Sequence, residues 1–243
     1  MLITSTDNNK IKYINKLKNK KFRDSENKFI IETFNLIEEA EKENLLCEVF
    51  LLEDEKLPFD VSCPIYYVTE IVMNKIKSVN TSKVVGVCRK KEINDFFGKR
   101  ILLLDGVGDP GNLGTIIRSS VAFDVDTIVL SLDSCDLYND KVIRASEGAI
   151  FKINIIRKDL KEVISEIKDL GINIYGTDVS DGIDVSSINS DGYAVIMGNE
   201  GKGISEEIKK LVDQNIYIKT NNVESLNVGV AASIILYELG KDK

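Results

Sequence analysis

The chain has 243 residues, of which 43% are hydrophobic and 29% are charged, a composition typical of a folded globular protein. No apolar run approaches the roughly 18 residues that a membrane span needs, and the N-terminal sequence lacks the layout of a secretory signal, so we expect a cytoplasmic protein. Histidine is absent. Its absence excludes a Ser-His-Asp triad, a histidine general base and histidine metal ligands.

The cysteines are scattered and form no C-x-x-C pair: Cys47, Cys63, Cys88 and Cys135. Disulfides are rare in cytosolic proteins, so we expect reduced thiols, mostly buried. Without histidine to complete a tetrahedral set, we expect no zinc site.

The net charge of −7 argues mildly against nucleic acid as a partner, but the charge is unevenly distributed. The segment that ends at residue 23 is strongly basic and gives these candidate RNA contacts: Lys16, Lys18, Lys20, Lys21 and Arg23. The alternative is that these side chains form only a solvated helix face.

Residues 1–97 are predicted to form a compact α/β domain. Apolar spacing predicts helices at 9–19 and 34–43 and strands at 29–32, 49–52, 65–68 and 84–88.

Residues 98–243 alternate regularly between continuous apolar strands and helices. Strands are predicted at 101–104, 127–131, 152–156, 172–176, 194–197 and 216–218, and helices at 113–123, 140–149, 160–170, 205–212 and 226–239. This alternation indicates a parallel sheet covered on both faces. Ligands of such sheets bind beyond the carboxyl ends of the strands, so the loops there are the candidate site.

The loop after the first of these strands contains three glycines spaced as G-x-G-x-x-G: Gly106, Gly108 and Gly111. With Asp133 lying 22 residues beyond the last glycine, the pattern approaches a dinucleotide-binding fingerprint. A plain turn with Asn112 capping the next helix explains the same residues. Arg118 is expected on the second turn of that helix, where its guanidinium can bind a phosphate or a carboxylate.

Two further loops carry polar and small residues. Gly198–Gly203 places three glycines within six residues, around Glu200, which lets the backbone approach a ligand closely. Ser225 and Asn227 precede a helix rich in small residues, where they could alternatively be a helix cap and its neighbour.

Together these segments resemble the SpoU/TrmH family of SPOUT methyltransferases. The family's Asn-x-Gly-x-x-x-Arg motif corresponds to residues 112–118, its Gly-x-Glu-Gly-x-Gly motif to 198–203 and its Ser-Leu-Asn motif to 225–227. Residues 138–148 are similar to its connecting helix. Residues 9–32 resemble its accessory RNA-binding domain, with Thr33 where a glycine is usual.

The resemblance implies a C-terminal parallel-sheet SPOUT domain with a trefoil knot, a smaller N-terminal α/β RNA-binding domain, and a homodimer. It implies methyl transfer from S-adenosylmethionine to a ribose 2′-hydroxyl of RNA, with ribosomal RNA preferred over transfer RNA and no metal. The implied catalytic residues are Asn112, Arg118, Glu200, Ser225 and Asn227. The implied cofactor contacts are Thr177, Gly198, Asn199, Gly203, Tyr217, Ile218 and Leu226.

One segment departs from the family pattern. Tyr217, Ile218 and Lys219 stand where Ile-Pro-Met is usual, and Asn221 replaces a glycine. Three alternatives therefore stay open: a transfer RNA methyltransferase, a non-catalytic RNA-binding protein that kept the fold, and a dinucleotide-dependent oxidoreductase. Arg118 can be a base assisted by an RNA phosphate or a phosphate-anchored electrostatic group, since its pKa above about 12 makes proton abstraction difficult.

Overall fold

The computed structural model describes residues 2–95, 97–179, 181–188 and 191–241. The chain forms two compact units. The first contains residues up to Glu92 together with Tyr138–Phe151, and the second contains Ile93–Leu137 and the residues from Lys152 onward. The predicted division after residue 97 differs from these units in two places: the second unit begins at Ile93, and Tyr138–Phe151 belongs to the first unit.

The strands of the described residues, β1 to β12 in chain order, are Leu2–Ile3, Lys28–Glu32, Leu46–Leu52, Ile65–Val68, Val84–Arg89, Arg100–Leu104, Thr127–Leu130, Asn154–Arg157, Ile174–Thr177, Ile183–Asp184, Tyr193–Met197 and Gln214–Tyr217. The α-helices, α1 to α9, are Asn9–Leu17, Lys20–Glu26, Phe34–Lys42, Glu70–Ile76, Pro110–Ala122, Asp140–Ser146, Leu160–Asp169, Glu206–Lys209 and Val228–Gly240.

The first unit is built on a mixed sheet with the strand order β1-β4-β3-β5-β2. β5 is antiparallel to β2 and β3, and β4 is parallel to β1 and β3. α1 packs on this sheet through Ile11, Ile14 and Leu17, which are fully buried in one core with residues of α4 and β5. The i, i+3, i+6 spacing of these side chains is what turns one face of α1 inward.

The basic segment that ends at residue 23 forms two helices, whereas one helix was predicted, at 9–19. α1 ends at Leu17 and α2 begins at Lys20, with Asn19 accepting a hydrogen bond from the Lys21 N–H as its cap. Arg23 is only 7% exposed, and its guanidinium donates to the carbonyl oxygens of Leu17 and Lys18. Arg23 therefore binds the last carbonyls of α1, which is a structural role.

Thr33 has an unusual backbone conformation between β2 and α3. Its φ is 103° and its ψ is 143°, and its side chain accepts a hydrogen bond from the Leu36 N–H. A β-branched residue at positive φ is strained, because its Cβ collides with the backbone. A glycine at this position would carry no such strain.

The second unit is built on a fully parallel sheet with the strand order β10-β12-β9-β11-β6-β7-β8. Its central strands, β6 and β11, are apolar except for Arg100 and are almost wholly buried, because helices cover both faces. β6, β11 and β12 end at the same edge, so the three loops named above come together there. This confirms the predicted α/β class. The trefoil knot stays a prediction.

Several short elements were not predicted: α2, α4, β1 and β10. No helix among the described residues is long and apolar enough to cross a membrane.

Candidate active site at the carboxyl edge of the parallel sheet

α5 begins earlier than predicted, at Pro110, and Asp109 is its cap. The Asp109 carboxylate accepts a hydrogen bond from the Asn112 N–H at 2.9 Å, so the alternative in which Asn112 caps the helix is wrong. Proline at the first helical position fits, because its missing N–H would have no partner there.

Arg118 and Asn112 do not come together, although both belong to the same sequence motif. Arg118 is the ninth residue of α5, in the third turn, whereas the second was predicted. It lies six positions after Asn112, which puts it about 120° away around the helix and about 9 Å along the axis. Arg118 is exposed.

The loop after β11 closes on itself through its glycines. Asn199 and Gly203 exchange backbone hydrogen bonds of 3.0 and 2.9 Å. A Cβ on Gly198 would lie 2.2 Å from the backbone of Gly203, and Gly203 has a φ of 69°, so both positions require glycine. The Asn199 side chain then ties this loop to the first one by donating to the Gly106 carbonyl oxygen at 2.7 Å.

Glu200 joins the loop after β11 to the first loop, and Asn112 links both to the third loop. The Glu200 carboxylate accepts hydrogen bonds from the N–H groups of Gly108 and Asp109 and from the Asn112 amide, at 3.0 to 3.2 Å. The Asn112 carbonyl oxygen in turn accepts from the Asn227 amide at 2.9 Å. Partial burial acts to raise the pKa of Glu200, but these hydrogen bonds outweigh it and hold that pKa below its usual value.

Asn227 has two roles at once. Its Oδ1 accepts from the N–H groups of Gly229 and Val230, which makes it the cap of α9. Its Nδ2 is the group that reaches Asn112. Because both ends of the Asn227 amide are engaged, the orientation of the Asn112 amide is fixed as well.

The same contacts argue against the dinucleotide alternative. In that fold a pyrophosphate binds the N–H groups where the first helix begins. Here the N–H groups of Gly108 and Asp109 already donate to the Glu200 carboxylate, so they are not available to a pyrophosphate, and Gly111 lies inside α5.

A cavity of about 360 Å³ opens beside this cluster, between the loops that follow β9, β11 and β12. Its wall contains all the predicted cofactor contacts: Thr177, Gly198, Asn199, Gly203, Tyr217, Ile218 and Leu226. Glu200 and Ser225 also line it, whereas Asn112, Arg118 and Asn227 do not. Ser225 is exposed.

Sequence reasoning missed part of the wall. Met197 is the last residue of β11, and Ala231 and Ile235 lie one turn apart on α9. The signal was present, since apolar residues four apart share one helix face. Lys209 lies in the wall as well, on the short helix α8.

A second missed feature is the loop after β7, which supports the first glycine-rich loop. The Ser131 hydroxyl accepts from the Gly106 N–H, and the Cys135 N–H donates to the Val107 carbonyl oxygen. Arg157 holds this supporting loop, because its guanidinium donates to four of its carbonyl oxygens at 2.5 to 3.2 Å: those of Ser131, Leu132, Ser134 and Cys135. Nothing in the sequence pattern marks Arg157 for this role.

The predicted RNA contacts differ in their surroundings. Lys18 donates to the carbonyl oxygens of Lys75 and Lys77, and Lys20 pairs with Asp24 at 2.6 Å. Burial lowers the pKa of Lys18. Two others are exposed without a carboxylate partner in the described part of the chain: Lys16 and Lys21.

The thiols are all free, but only Cys88 is buried, so the expectation that most are buried is wrong. The described residues hold no group of three or more acidic or cysteine side chains that could bind a metal ion.

Comparisons with known proteins extend these observations. The SpoU rRNA Methylase family model matches residues 99–237, and a model of the MRM3-like substrate binding domain matches residues 8–85. A 23S rRNA (guanosine(2553)-2′-O)-methyltransferase, RlmP of Bacillus subtilis, is 36% identical over 243 residues, with 98% of each chain covered.

Solved structures agree over the whole chain. A crystal structure of an RNA 2′-O ribose methyltransferase has a TM-score of 0.84 at 27% identity, covering 98% of this chain and 97% of that one. An AdoMet-bound rRNA methyltransferase from Sinorhizobium meliloti has a TM-score of 0.85 at 27% identity, covering 98% and 96%. The chain therefore belongs to the SpoU rRNA methylase family, as its three loop motifs predicted.

Proposed function

We propose that this protein methylates a ribose 2′-hydroxyl of ribosomal RNA, with S-adenosylmethionine as the methyl donor. One observation carries this assignment: Glu200, Asn112 and Asn227, each from a different loop, form one hydrogen-bonded chain beside one cavity. Family membership and the B. subtilis relative, named as a 23S rRNA 2′-O-methyltransferase, support the substrate class.

The cavity fits the cofactor. Its volume of about 360 Å³ lies within the roughly 300 to 1,000 Å³ typical of small-ligand pockets. Backbone groups of the glycine-rich loop would hold polar parts of the cofactor, and Met197, Ile218 and Leu226 would pack against its apolar parts. When bound, S-adenosylmethionine supplies an electrophilic methyl group on a positively charged sulfur.

Glu200 positions Asn112 and is a poor general base. Its oxygens are engaged by four N–H donors, from Gly108, Asp109, Asn112 and Asn199, and its depressed pKa keeps it ionised with little affinity for a proton. Asn112, fixed between Glu200 and Asn227, can orient the ribose. The exposed Ser225 hydroxyl in the cavity wall can hydrogen-bond the reacting oxygen.

Arg118 acts as a phosphate-anchored cation in this proposal. It is exposed and has no ion-pair partner among the described residues, so its fork of N–H donors is available to an RNA phosphate. Because Arg118 lies outside the cavity wall, it would contribute by holding this phosphate, and through it the ribose, in position for methyl transfer.

The remaining features of the proposal come from the family resemblance. We propose a cytoplasmic homodimer that associates through its C-terminal domain (residues 98–243), with residues 1–97 binding RNA and a trefoil knot in the C-terminal domain. The half-exposed apolar side chains of Val230 and Tyr237 on α9 support the dimer, because a second copy would cover them. Light scattering that reports a monomer at micromolar concentration would contradict it.

Two measurements test the proposed activity. Calorimetry should detect binding of S-adenosylmethionine and no binding of NAD. With 23S rRNA as the substrate, Arg118→Ala should lower kcat and kcat/KM together by about 10² or more, with unchanged cofactor affinity. Arg118→Lys, which keeps the charge and loses the fork, should recover only part of the rate. Near-wild-type turnover of the alanine variant would refute the role of Arg118.

A further inference from the structure

A groove of about 630 Å³ lies on the first unit, between α1 and α4. The side of α1 that faces away from the core contributes Asn9, Lys12 and Lys16, which are three and four residues apart and therefore neighbours on one helix face. Lys75, in the last turn of α4, completes the groove.

The charge of this groove is opposite to that of the chain as a whole. Three lysines line it against one carboxylate, Asp7, although the net charge of the chain is −7. Lys12 pairs with Asp7 at 3.1 Å, but both side chains are more than half exposed. An exposed ion pair contributes little free energy, so an incoming anion can displace Asp7 from Lys12. Lys16 and Lys75 form no ion pair with any described carboxylate.

The contacts of Lys18 explain why the groove keeps its shape. Its ammonium group donates to the carbonyl oxygens of Lys75 and Lys77, which fixes the end of α4 against the end of α1. Lys18 thus holds the groove together and does not line it. Two amides in the wall, from Asn9 and Asn15, add neutral hydrogen-bonding capacity beside the ammonium groups.

On the basis of the proposed RNA substrate, we infer that this groove binds the phosphodiester backbone of the RNA through Lys12, Lys16 and Lys75. Of the lysines singled out from the sequence, only Lys16 lies in the groove. Lys20, paired with Asp24, and Lys18, bound to carbonyls, take no part. Phosphate contacts of this kind position an RNA and carry no sequence information. The groove would therefore contribute to the affinity for RNA, whereas methyl transfer takes place at the cavity beside Glu200, Asn112 and Asn227.

The test measures how the affinity for 23S rRNA transcribed in vitro depends on salt. In the triple variant Lys12→Gln, Lys16→Gln, Lys75→Gln, the slope of log K against log salt should fall in magnitude by about 2 to 3, because each lost phosphate contact contributes about 0.7 to 0.9. Replacing the same three residues with arginine should keep the slope.

A matched control removes the same charge elsewhere on the first unit, with Lys42→Gln, Lys56→Gln and Lys83→Gln, which are exposed and outside the groove. It should keep the wild-type slope. An unchanged slope in the groove variant, or an equal fall of the slope in the control variant, would refute the proposal that the groove binds RNA phosphates.

Cofactor binding and methylation by the wild type, measured in parallel, separate this outcome from a failure of the proposed function. If the wild type binds RNA through the groove but transfers no methyl group, the proposed activity is refuted and the proposed role of the groove is kept. If the wild type binds no 23S rRNA, both proposals are refuted.

Discussion

Replacing Thr33 with glycine should stabilise the protein. At a φ of 103°, the threonine stores strain of about 2 kcal/mol. Glycine removes that strain, loses a cap bond worth a few tenths of a kcal/mol, and costs about 0.5 to 1 kcal/mol through the greater freedom of the unfolded chain. The net gain is about 1 kcal/mol, which for a chain of this length raises Tm by about 2 to 4 °C.

Differential scanning calorimetry measures this change, and two variants control for it. Thr33→Ala keeps the strained φ and loses the bond to the Leu36 N–H, so it should destabilise by about 1 kcal/mol. Asn27→Gly changes a residue at a φ of 51°, a region that asparagine tolerates, so its gain should be smaller. A Thr33→Gly protein that melts at or below the wild-type temperature would refute the strain argument.

Three further predictions follow from single side chains. Because the pKa of Glu200 is depressed, its stabilising effect exists above its unfolded pKa of about 4 and is lost as the pH falls through the folded value; the difference in unfolding free energy between wild type and Glu200→Gln should shrink over that range. Arg157→Ala should lower the free energy of unfolding by about 2 kcal/mol, measured by denaturant unfolding, because it removes the guanidinium donor from partly buried carbonyl oxygens. Partial burial raises the pKa of Cys135 to about 11, so a disulfide reagent at pH 8 should modify it far more slowly than free cysteine, and equal rates would contradict this raised pKa.

The parallel sheet and its site were predictable because their signals are local and strong. β11 and residues 101–104 of β6 are continuous apolar runs, which a strand buried on both faces requires. The glycines at 198 and 203 are required by close backbone approach and positive φ, so their spacing marked the loop.

Elements whose apolar stripe is absent or blurred were missed. The buried residue of α2 is Arg23, so no periodic pattern announces that helix, and its basic sequence suggested an RNA-facing surface. In α4 the exposed Ile71 adjoins the buried Val72 and Met73, which blurs the helical period. The role of Arg157 depends on carbonyl groups more than 20 residues away, and such a contact leaves no trace in local sequence.

The membership of Tyr138–Phe151 in the first unit has a consequence for biosynthesis. Phe29 of β2 packs against the rings of Tyr138 and Phe151, so the core around it stays open after Glu92 has been made. A ribosome that adds about 5 to 20 residues per second needs roughly 3 to 12 s to reach Phe151. During that interval the nascent residues of the first unit expose an aromatic surface around Phe29. Because residues 93–137 separate the two parts of this unit, no truncation at a single point yields the first unit alone.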